Sequence, residues 1–403
     1  MDKTLRAAPF AAKHILITGA TGYMGALIVA SLLRDTAAQI TCLIRSTHDR
    51  KALIDPIIEE WEAQAHGCWS DAVESRIHQM ALPDDLADVA NLAPRLEGID
   101  EIIHCAGCLD YYDTAKLQAV NVGYTAHLLA LALRLSLMRF MYISTAYSSG
   151  YQPHPTAEAL LAEPPSDPTQ YTRTKREAER LVAAGGVPFV ILRPSILIGT
   201  SDTGRYSGKR YGLYQQWMGL ERLACDRYHP VFHTVAPDLP LNVLHQDAFC
   251  HVFKLAYHWL PNGAFMNLVS NPQTSPSMRD LWDMWFEVTR PQTIKYYASF
   301  DDVPFKEIPT RQRAYLTFAQ VNLEIASHRW QFETSWLELL CSKGLTFVDA
   351  TVDSVRVCQS RFVASSELIG KYLSKHAVEL APYPLVVEVA PEHATDEREL
   401  ASV

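Results

Sequence analysis

Tyr171 and Lys175, in the run Gln-Tyr-Thr-Arg-Thr-Lys-Arg-Glu-Ala-Glu-Arg-Leu-Val (170–182), sit four residues apart and share one face of a predicted helix. A Tyr-x-x-x-Lys by itself is more often a solvated helix face. Here it follows a Gly-rich loop and a strand ending in Ser144-Thr145, and it precedes Arg193-Pro194-Ser195. Those features in that order point to hydride transfer at a carbonyl carbon. Tyr171 is then the general acid–base. A free phenol ionises near 10, and the Lys175 ammonium together with an oxidised nicotinamide is expected to lower that value. Lys175 is also expected to orient the nicotinamide ribose. Thr145, ahead of Ser144, is expected to hydrogen-bond the substrate oxygen as negative charge develops on it, and Asn121 to buttress the site.

Short apolar runs predict the strands that place these groups: His14–Thr18, Ile40–Ile44, Glu101–Cys105, Arg139–Ser144 and Pro188–Arg193. Helical stretches at Gly22–Arg34, Ala115–Leu135 and Tyr171–Ala184 separate them. Near-continuous apolar strands alternating with helices mean a parallel sheet covered on both faces. The predicted class is α/β, a Rossmann-type doubly wound parallel sheet over 13–250, preceded by an arm at 1–12. A mostly helical, Trp-rich substrate-binding region over 200–385 interleaves with it, with a return to the sheet near Leu241–Ala248 and a long helix near Asp349–His376. An acidic tail over 386–403 carries Glu388, Glu392, Asp396, Glu397 and Glu399 and reads as frayed.

His14-Ile-Leu-Ile-Thr-Gly-Ala-Thr-Gly-Tyr-Met-Gly25 places Gly19, Gly22 and Gly25 between a strand and a helix. Such glycines allow a tight turn, close approach to a pyrophosphate and close helix–strand packing, and the helix N-terminus then faces the phosphates. Thr21, Tyr23 and Met24 belong to the same cradle. The second strand ends in Arg45-Ser46-Thr47, with Arg50 and Lys51 beyond and no carboxylate at its end. A guanidinium there suits a ribose 2′-phosphate, so the expected cofactor is NADPH (NADP).

Of 403 residues, 48% are hydrophobic and 20% charged, enough for a large core; the net charge of −9 and the lack of a basic block argue against nucleic acid as a partner. No apolar run reaches the roughly 20 residues of a transmembrane helix, and the first residues lack a signal-peptide pattern. Eight scattered cysteines then suggest thiols in a cytoplasmic, reducing setting. Cys105-Ala-Gly-Cys108 matches a redox spacing, but it falls where a strand meets the cofactor loop. No metal-ligand spacing is present.

With Gly-x-x-Gly-x-x-Gly, His104-Cys-Ala-Gly107, Asn121-Val, Ser144-Thr145, Tyr171-x-x-x-Lys175 and Arg193-Pro-Ser195, the chain resembles the extended short-chain dehydrogenase/reductase superfamily from about residue 13 to about 250. The resemblance implies a catalytic trio of Thr145, Tyr171 and Lys175. It also implies that Ala106 and Gly107 lie along the cofactor and that Arg193-Pro194-Ser195 borders the nicotinamide. Within the superfamily the chain most resembles fatty acyl-CoA reductases and thioester-reductase domains, through Cys-Leu-Ile-Arg45, Ser-Thr-Ala-Tyr147, Arg-Pro-Ser-x-x-x-Gly199 followed by Ser-Asp-Thr-Gly204, and Trp330-Gln-Phe332. Two departures stand out. Tyr124 occupies a position usually held by glycine, and the Gly-Asp expected after the third strand is replaced by Ala81–Leu86, which leaves Asp85 as the adenine-side candidate.

The leading expectation is NADPH-dependent reduction of a small-molecule or carrier-bound acyl thioester to an aldehyde, with an alcohol as a further product. The alternative is a dehydrogenase or epimerase acting on a hydroxyl or ketone, as in hydroxysteroid-type or sugar-nucleotide enzymes. A third is a non-catalytic cofactor sensor, which the retained Tyr and Lys disfavour. A homodimer is compatible with any of them.

Overall fold

The structure is a computed structural model and describes residues 14–64, 67–111, 113–346, 348–376 and 386–389. The arm at 1–12 and the tail from residue 390 lie outside the described residues. In chain order the strands are β1 (His14–Thr18), β2 (Gln39–Ile44), β3 (Ile77–Ala81), β4 (Glu101–His104), β5 (Arg139–Ile143), β6 (Phe189–Pro194), β7 (Ile196–Ile198), β8 (Val231–Val235), β9 (Val243–His245), β10 (Ala264–Leu268), β11 (Thr293–Tyr297) and β12 (Val386–Val389). The chain divides into two compact units.

The first unit holds the residues up to Lys209 with Asn242–Asn271 and Trp330–Ala350. Its sheet has the order β10-β6-β5-β4-β1-β2-β3, with every pairing parallel. Side chains alternate between its faces. Ile15, Ile17, Ile103, Met141, Ile143, Val190 and Leu192 join one core, while Leu16, Ile102, Phe140, Tyr142 and Ile191 join the other. The first core is closed by the helices Tyr23–Asp35, Arg50–Ala63, Gln246–Trp259 and Ser335–Ser342, and the second by Tyr124–Leu135 and Gln170–Ala184. A strand buried on both faces must be apolar at nearly every position, which is why these runs were legible. Each fully buried Leu or Ile contributes roughly 1.5–3 kcal/mol relative to exposure.

The register places Thr18 opposite both Leu43 and His104, His104 opposite Tyr142, and Ile143 opposite Leu192. The carboxyl ends of β1, β4, β5 and β6 therefore meet at one sheet edge, where open α/β sheets bind ligands.

The five expected strands match the observed bounds to within one residue at each end. The sheet return does not fall at 241–248. Val243–His245 pairs with Ile196–Ile198 in a separate two-stranded sheet, and the seventh strand of the main sheet is β10. The helix expected at Ala115–Leu135 is split by a π-helical turn at Gln118–Gly123.

The second unit holds Arg210–Leu241, Pro272–Arg329 and the residues from Thr351 onward. It has a three-stranded parallel sheet, β12-β11-β8, with helices at Met278–Thr289, Thr310–Ala326, Val352–Ser365 and Glu367–His376. Trp217, Trp282 and Trp285 are buried here among Phe232, Phe286, Tyr315 and Phe362, so these indoles fill a core rather than line a channel. The expected long helix breaks at Ser366, whose hydroxyl accepts from Ile369 N (3.1 Å) and donates to Glu221 (2.5 Å), starting a second helix. The stretch expected to fray begins with an ordered strand, as Val386–Val389 pairs with Thr293–Tyr296.

Candidate active site

β1 runs into Gly19, whose φ of +79° is left-handed and whose absent Cβ would sit 2.6 Å from Ala106 N. A Cβ at Gly25 would lie 2.1 Å from Gly19 O, so this glycine permits the close packing of helix on turn. Gly22 caps the helix Tyr23–Asp35 with no side-chain bond, and no acid stands in the first turn. The first N–H groups and the positive dipole end are thus left for an anion. Thr21 is half-buried in this loop, and Met24 packs against the first core. The Tyr23 ring lies edge-on to Tyr206 (5.0 Å), and its hydroxyl is 3.0 Å from the Gln246 side-chain amide.

At the end of β2 the exposed Arg45 side chain has no hydrogen bond or ion pair among the described residues. Arg50 is not free in the same way: its guanidinium donates to Glu74 Oε1 (3.0 and 3.2 Å) and Ile77 O (3.4 Å). Asp85 caps the 3-10 turn Leu86–Arg95, its Oδ1 accepting from Ala87 N (2.9 Å).

β5 delivers Ser144 and Thr145 to the sheet edge. Ser144 donates to Glu179 Oε1 (2.5 Å) and is consumed there. The buried Thr145 hydroxyl accepts from Tyr147 N (3.4 Å), which leaves its proton available. Tyr171 stands in the first turn of the helix Gln170–Ala184, which starts in a Thr169/Thr172 capping box. Its half-buried ring lies 5.8 Å from that of Tyr111, and its hydroxyl has no partner among the described residues.

Burial holds this phenol well above its ordinary range, assisted by Tyr111, Cys105 and Cys108. The expected lowering by Lys175 is not what the protein alone does. Lys175 Nζ donates to Ile143 O (2.7 Å) and sits 4.2 Å above the Tyr142 ring, and burial pulls its own ionisation down to about 8. Tyr171 is therefore a proton donor at neutral pH. Cys105 is pushed up to about 12 by burial and makes a poor thiolate, against a redox role.

Asn121 lies in the π turn and links two elements: its amide bonds Cys108 N (2.7 Å), Cys108 O (3.2 Å) and Thr174 Oγ1 (3.0 Å). Ala106 N donates to Thr18 Oγ1 (3.3 Å), and Gly107 leaves room for Asn121 Oδ1. Pro194 ends β6, and Ser195 N donates to Leu268 O (2.9 Å), while the buried Ser195 hydroxyl has no partner. An uncapped helix start and an unpartnered buried hydroxyl together fit a nicotinamide dinucleotide.

Glu179, Ser148 and Tyr151 matter and were not singled out by the sequence. Glu179 accepts from Ser144 and from Ser148 (2.8 Å) and pairs with Arg193 (Nη2–Oε2, 2.7 Å), both members being buried. Arg193 also donates to Ala157 O (2.8 Å) and Ala159 O (2.9 Å), so it braces the loop. Tyr147 and Tyr151 pack on Trp330 (4.8 and 5.5 Å), an aromatic group just past Thr145. The sequence signal was present in Tyr147 and Trp330 but not their juxtaposition, which needs the segment from Trp330 to fold back onto the first unit.

Parallel sheet, Gly-rich turn and Tyr-x-x-x-Lys helix define an NAD(P)H-dependent oxidoreductase of the extended short-chain dehydrogenase/reductase type. A family model described as "Male sterility protein" (NAD_binding_4) matches residues 17–244, and the chain belongs to that family. Among curated relatives, it is 28% identical over 204 residues to a component of the linear gramicidin synthase of Brevibacillus parabrevis, covering 47% of this chain and 4% of that protein. It is 29% identical over 222 residues to glycine betaine reductase ATRR of Emericella nidulans, covering 48% and 16%. The chain thus spans a small part of these relatives. Among solved structures, the terminal R domain of the myxalamid PKS-NRPS pathway shares the fold with a TM-score of 0.67 at 22% identity, covering 88% of this chain and 91% of that one. A thiolation-reductase di-domain from an archaeal non-ribosomal peptide synthetase aligns with a TM-score of 0.61 at 19% identity, covering 94% and 93%. Among the described residues no helix is long and apolar enough to cross a membrane.

The lowered Lys175 has a consequence for stability. Its proton is bound more weakly in the folded chain than at the ordinary 10.5. The charged form therefore opposes folding below about pH 8, and this opposition fades as pH rises towards 10.5. The stability of Lys175→Met relative to wild type is expected to be greater at pH 7 than at pH 10.5, by up to ~3 kcal/mol. Urea unfolding of both proteins at the two pH values measures it, and a pH-independent difference would contradict it.

Proposed function

We propose that this chain is an NADPH-dependent reductase of acyl thioesters, with Thr145, Tyr171 and Lys175 as its working groups. What supports the reading is the Thr145 hydroxyl at the end of β5, whose proton is available, together with the Tyr171 hydroxyl, which has no partner among the described residues. Two structural neighbours, an R domain and a thiolation-reductase di-domain of peptide and polyketide assembly systems, support the thioester as substrate class. The aromatic group of Tyr147, Tyr151 and Trp330 supports an apolar acyl portion.

The bound nicotinamide would supply a hydride to the thioester carbonyl carbon. Thr145 and Tyr171 donate to the carbonyl oxygen and stabilise the charge that develops there; one such donor is typically worth about 10²–10³ in kcat. Because burial keeps Tyr171 protonated, it can give its proton to the oxyanion. Collapse of the hemithioacetal then re-forms the carbonyl and breaks the C–S bond, releasing an aldehyde and a thiol. Per turnover, one acyl thioester, one NADPH and one proton yield one aldehyde, one thiol and one NADP. Lys175, whose ammonium donates to the Ile143 carbonyl in this structure, would hold the cofactor ribose. Arg45 binds the 2′-phosphate, its guanidinium being exposed and unpaired. An alcohol would require a second NADPH. A carrier-bound donor and a homodimer are compatible with this reading.

Offered medium- and long-chain acyl-CoA with NADPH, the purified protein should oxidise the cofactor and release one free thiol per NADPH in the first step. Tyr171→Phe should lower turnover by at least about 10² with NADPH affinity nearly unchanged. Turnover confined to ketones or alcohols, with no thiol released, would replace the thioester reading with its hydroxyl/ketone alternative. Arg45→Asp should raise KM for NADPH by about tenfold or more and leave NADH little changed. Equal effects on both cofactors would remove the 2′-phosphate assignment.

A further inference from the structure

Beneath the site runs a file of buried hydrogen bonds that none of the roles above uses. Ala106 N donates to Thr18 Oγ1 (3.3 Å), and Thr18 Oγ1 lies 2.7 Å from His104 Nδ1. His104 Nε2 lies 2.9 Å from Thr125 Oγ1, which donates to Asn121 O (2.7 Å). Asn121 Nδ2 donates to Thr174 Oγ1 (3.0 Å), and Thr174 Oγ1 donates to Tyr171 O (2.9 Å). Thr18, His104, Thr125, Asn121 and Thr174 are all at most 2% exposed.

The direction of the file is fixed by counting protons. Thr125 gives its only hydroxyl proton to Asn121, so it must accept from His104 Nε2–H. A neutral imidazole with its proton there has a bare Nδ1, which accepts from Thr18, and the Thr18 oxygen is left to accept from Ala106. Every hydroxyl thus accepts one bond and donates one. The ring is held edge-on by Tyr124 (5.3 Å) and Phe140 (6.2 Å) and lies tilted against Tyr142 (5.5 Å). Tyr124 is the residue that departs from the glycine of the resembled superfamily, so this cage belongs to the chain's own packing. Burial, with the Lys175 ammonium second, pulls His104 down to about 3 and keeps the ring neutral at working pH.

We infer that His104 is a positioning residue whose neutral imidazole joins the loop at Gly19 and Ala106, which would carry the dinucleotide, to the backbone of Tyr171, and so sets the spacing between cofactor and proton donor. The inference rests on the proposed reading of Tyr171 as the acid of a nicotinamide-dependent reduction. A ring that only filled space would be replaceable by Phe. A ring that transmits position has two separable halves, one per nitrogen.

The halves can be cut one at a time. His104→Asn keeps an acceptor near Thr18 but cannot reach Thr125, whereas His104→Gln keeps a donor towards Thr125 and loses the acceptor for Thr18. His104→Asn should hold the Kd for NADPH within about twofold of wild type and lower kcat about tenfold. His104→Gln should raise that Kd about tenfold with kcat at saturating NADPH nearly unchanged, and His104→Phe should do both. The nearly isosteric Thr18→Val and Thr125→Val should reproduce the Gln and Asn patterns respectively, which covers the case in which position 104 does not tolerate change. Amide exchange across 171–175 gives a readout independent of turnover, and should quicken in His104→Asn and Thr125→Val but not in His104→Gln or Thr18→Val. If wild type reduces no acyl thioester, the functional reading fails while NADPH Kd and amide exchange still decide the role of His104. A His104→Asn, His104→Gln, Thr18→Val or Thr125→Val that shifts affinity and turnover (or exchange) by equal factors, or a His104→Phe that shifts neither, would overturn the inference.

Discussion

The buried pair of Glu179 and Arg193 is the constraint on which the site depends. Glu179 comes from the helix that carries Tyr171 and Lys175, Arg193 from β6 just before Ser195, and the two serines bonded to the carboxylate from the stretch that carries Thr145. One carboxylate therefore fixes the mutual positions of the three elements that supply the functional groups. Removing two charges from water is expensive, and this pair is tolerable because both carboxylate oxygens are filled: Ser144, Ser148 and the Nε/Nη2 edge of the guanidinium serve Glu179, while Nη1 and Nη2 also donate to the carbonyls of Ala157 and Ala159. Such a pair is weak evidence for stability, but its geometry admits few alternatives, and register is what hydride transfer needs.

Around that anchor, Ser144 and Arg193 have their acceptors within the chain, whereas the Tyr171 and Ser195 hydroxyls and the Arg45 side chain have no partner among the described residues. Burial also sets the protonation states: it keeps Tyr171 a phenol and weakens the hold of Lys175 on its proton. A site so biased is suited to giving a proton to an oxygen that gains electrons, the direction of reduction.

Much of this was legible in the chain. Strands buried on both faces announce themselves as apolar runs, and the Gly-rich turn and the Tyr171/Lys175 spacing each have a local physical cause. β3 was less legible because an edge strand with His78 and Gln79 exposed lacks that run, and β10 because five residues between a helix and a loop carry little periodic signal. The Lys175 orientation could not be read from spacing: four residues on a helix put Tyr171 and Lys175 on one face, yet the ammonium bends to the nearest carbonyl. The partners of Arg50 and Asp85, a neighbouring carboxylate and a helix start, were likewise not readable from their positions. The roles of Glu179 and His104 depend on partners 14 to 35 and 21 to 86 residues away, a separation that no local pattern encodes.

The central claim is that this site delivers a hydride to the carbonyl carbon of an acyl thioester. Its most direct test is to supply NADPH carrying deuterium at the transferred position of nicotinamide C4, with an acyl-CoA as acceptor, and to locate the label by mass spectrometry. One deuterium on the former carbonyl carbon of the released aldehyde is the predicted result. An unlabelled aldehyde, or label transferred only when a ketone replaces the thioester, would contradict it.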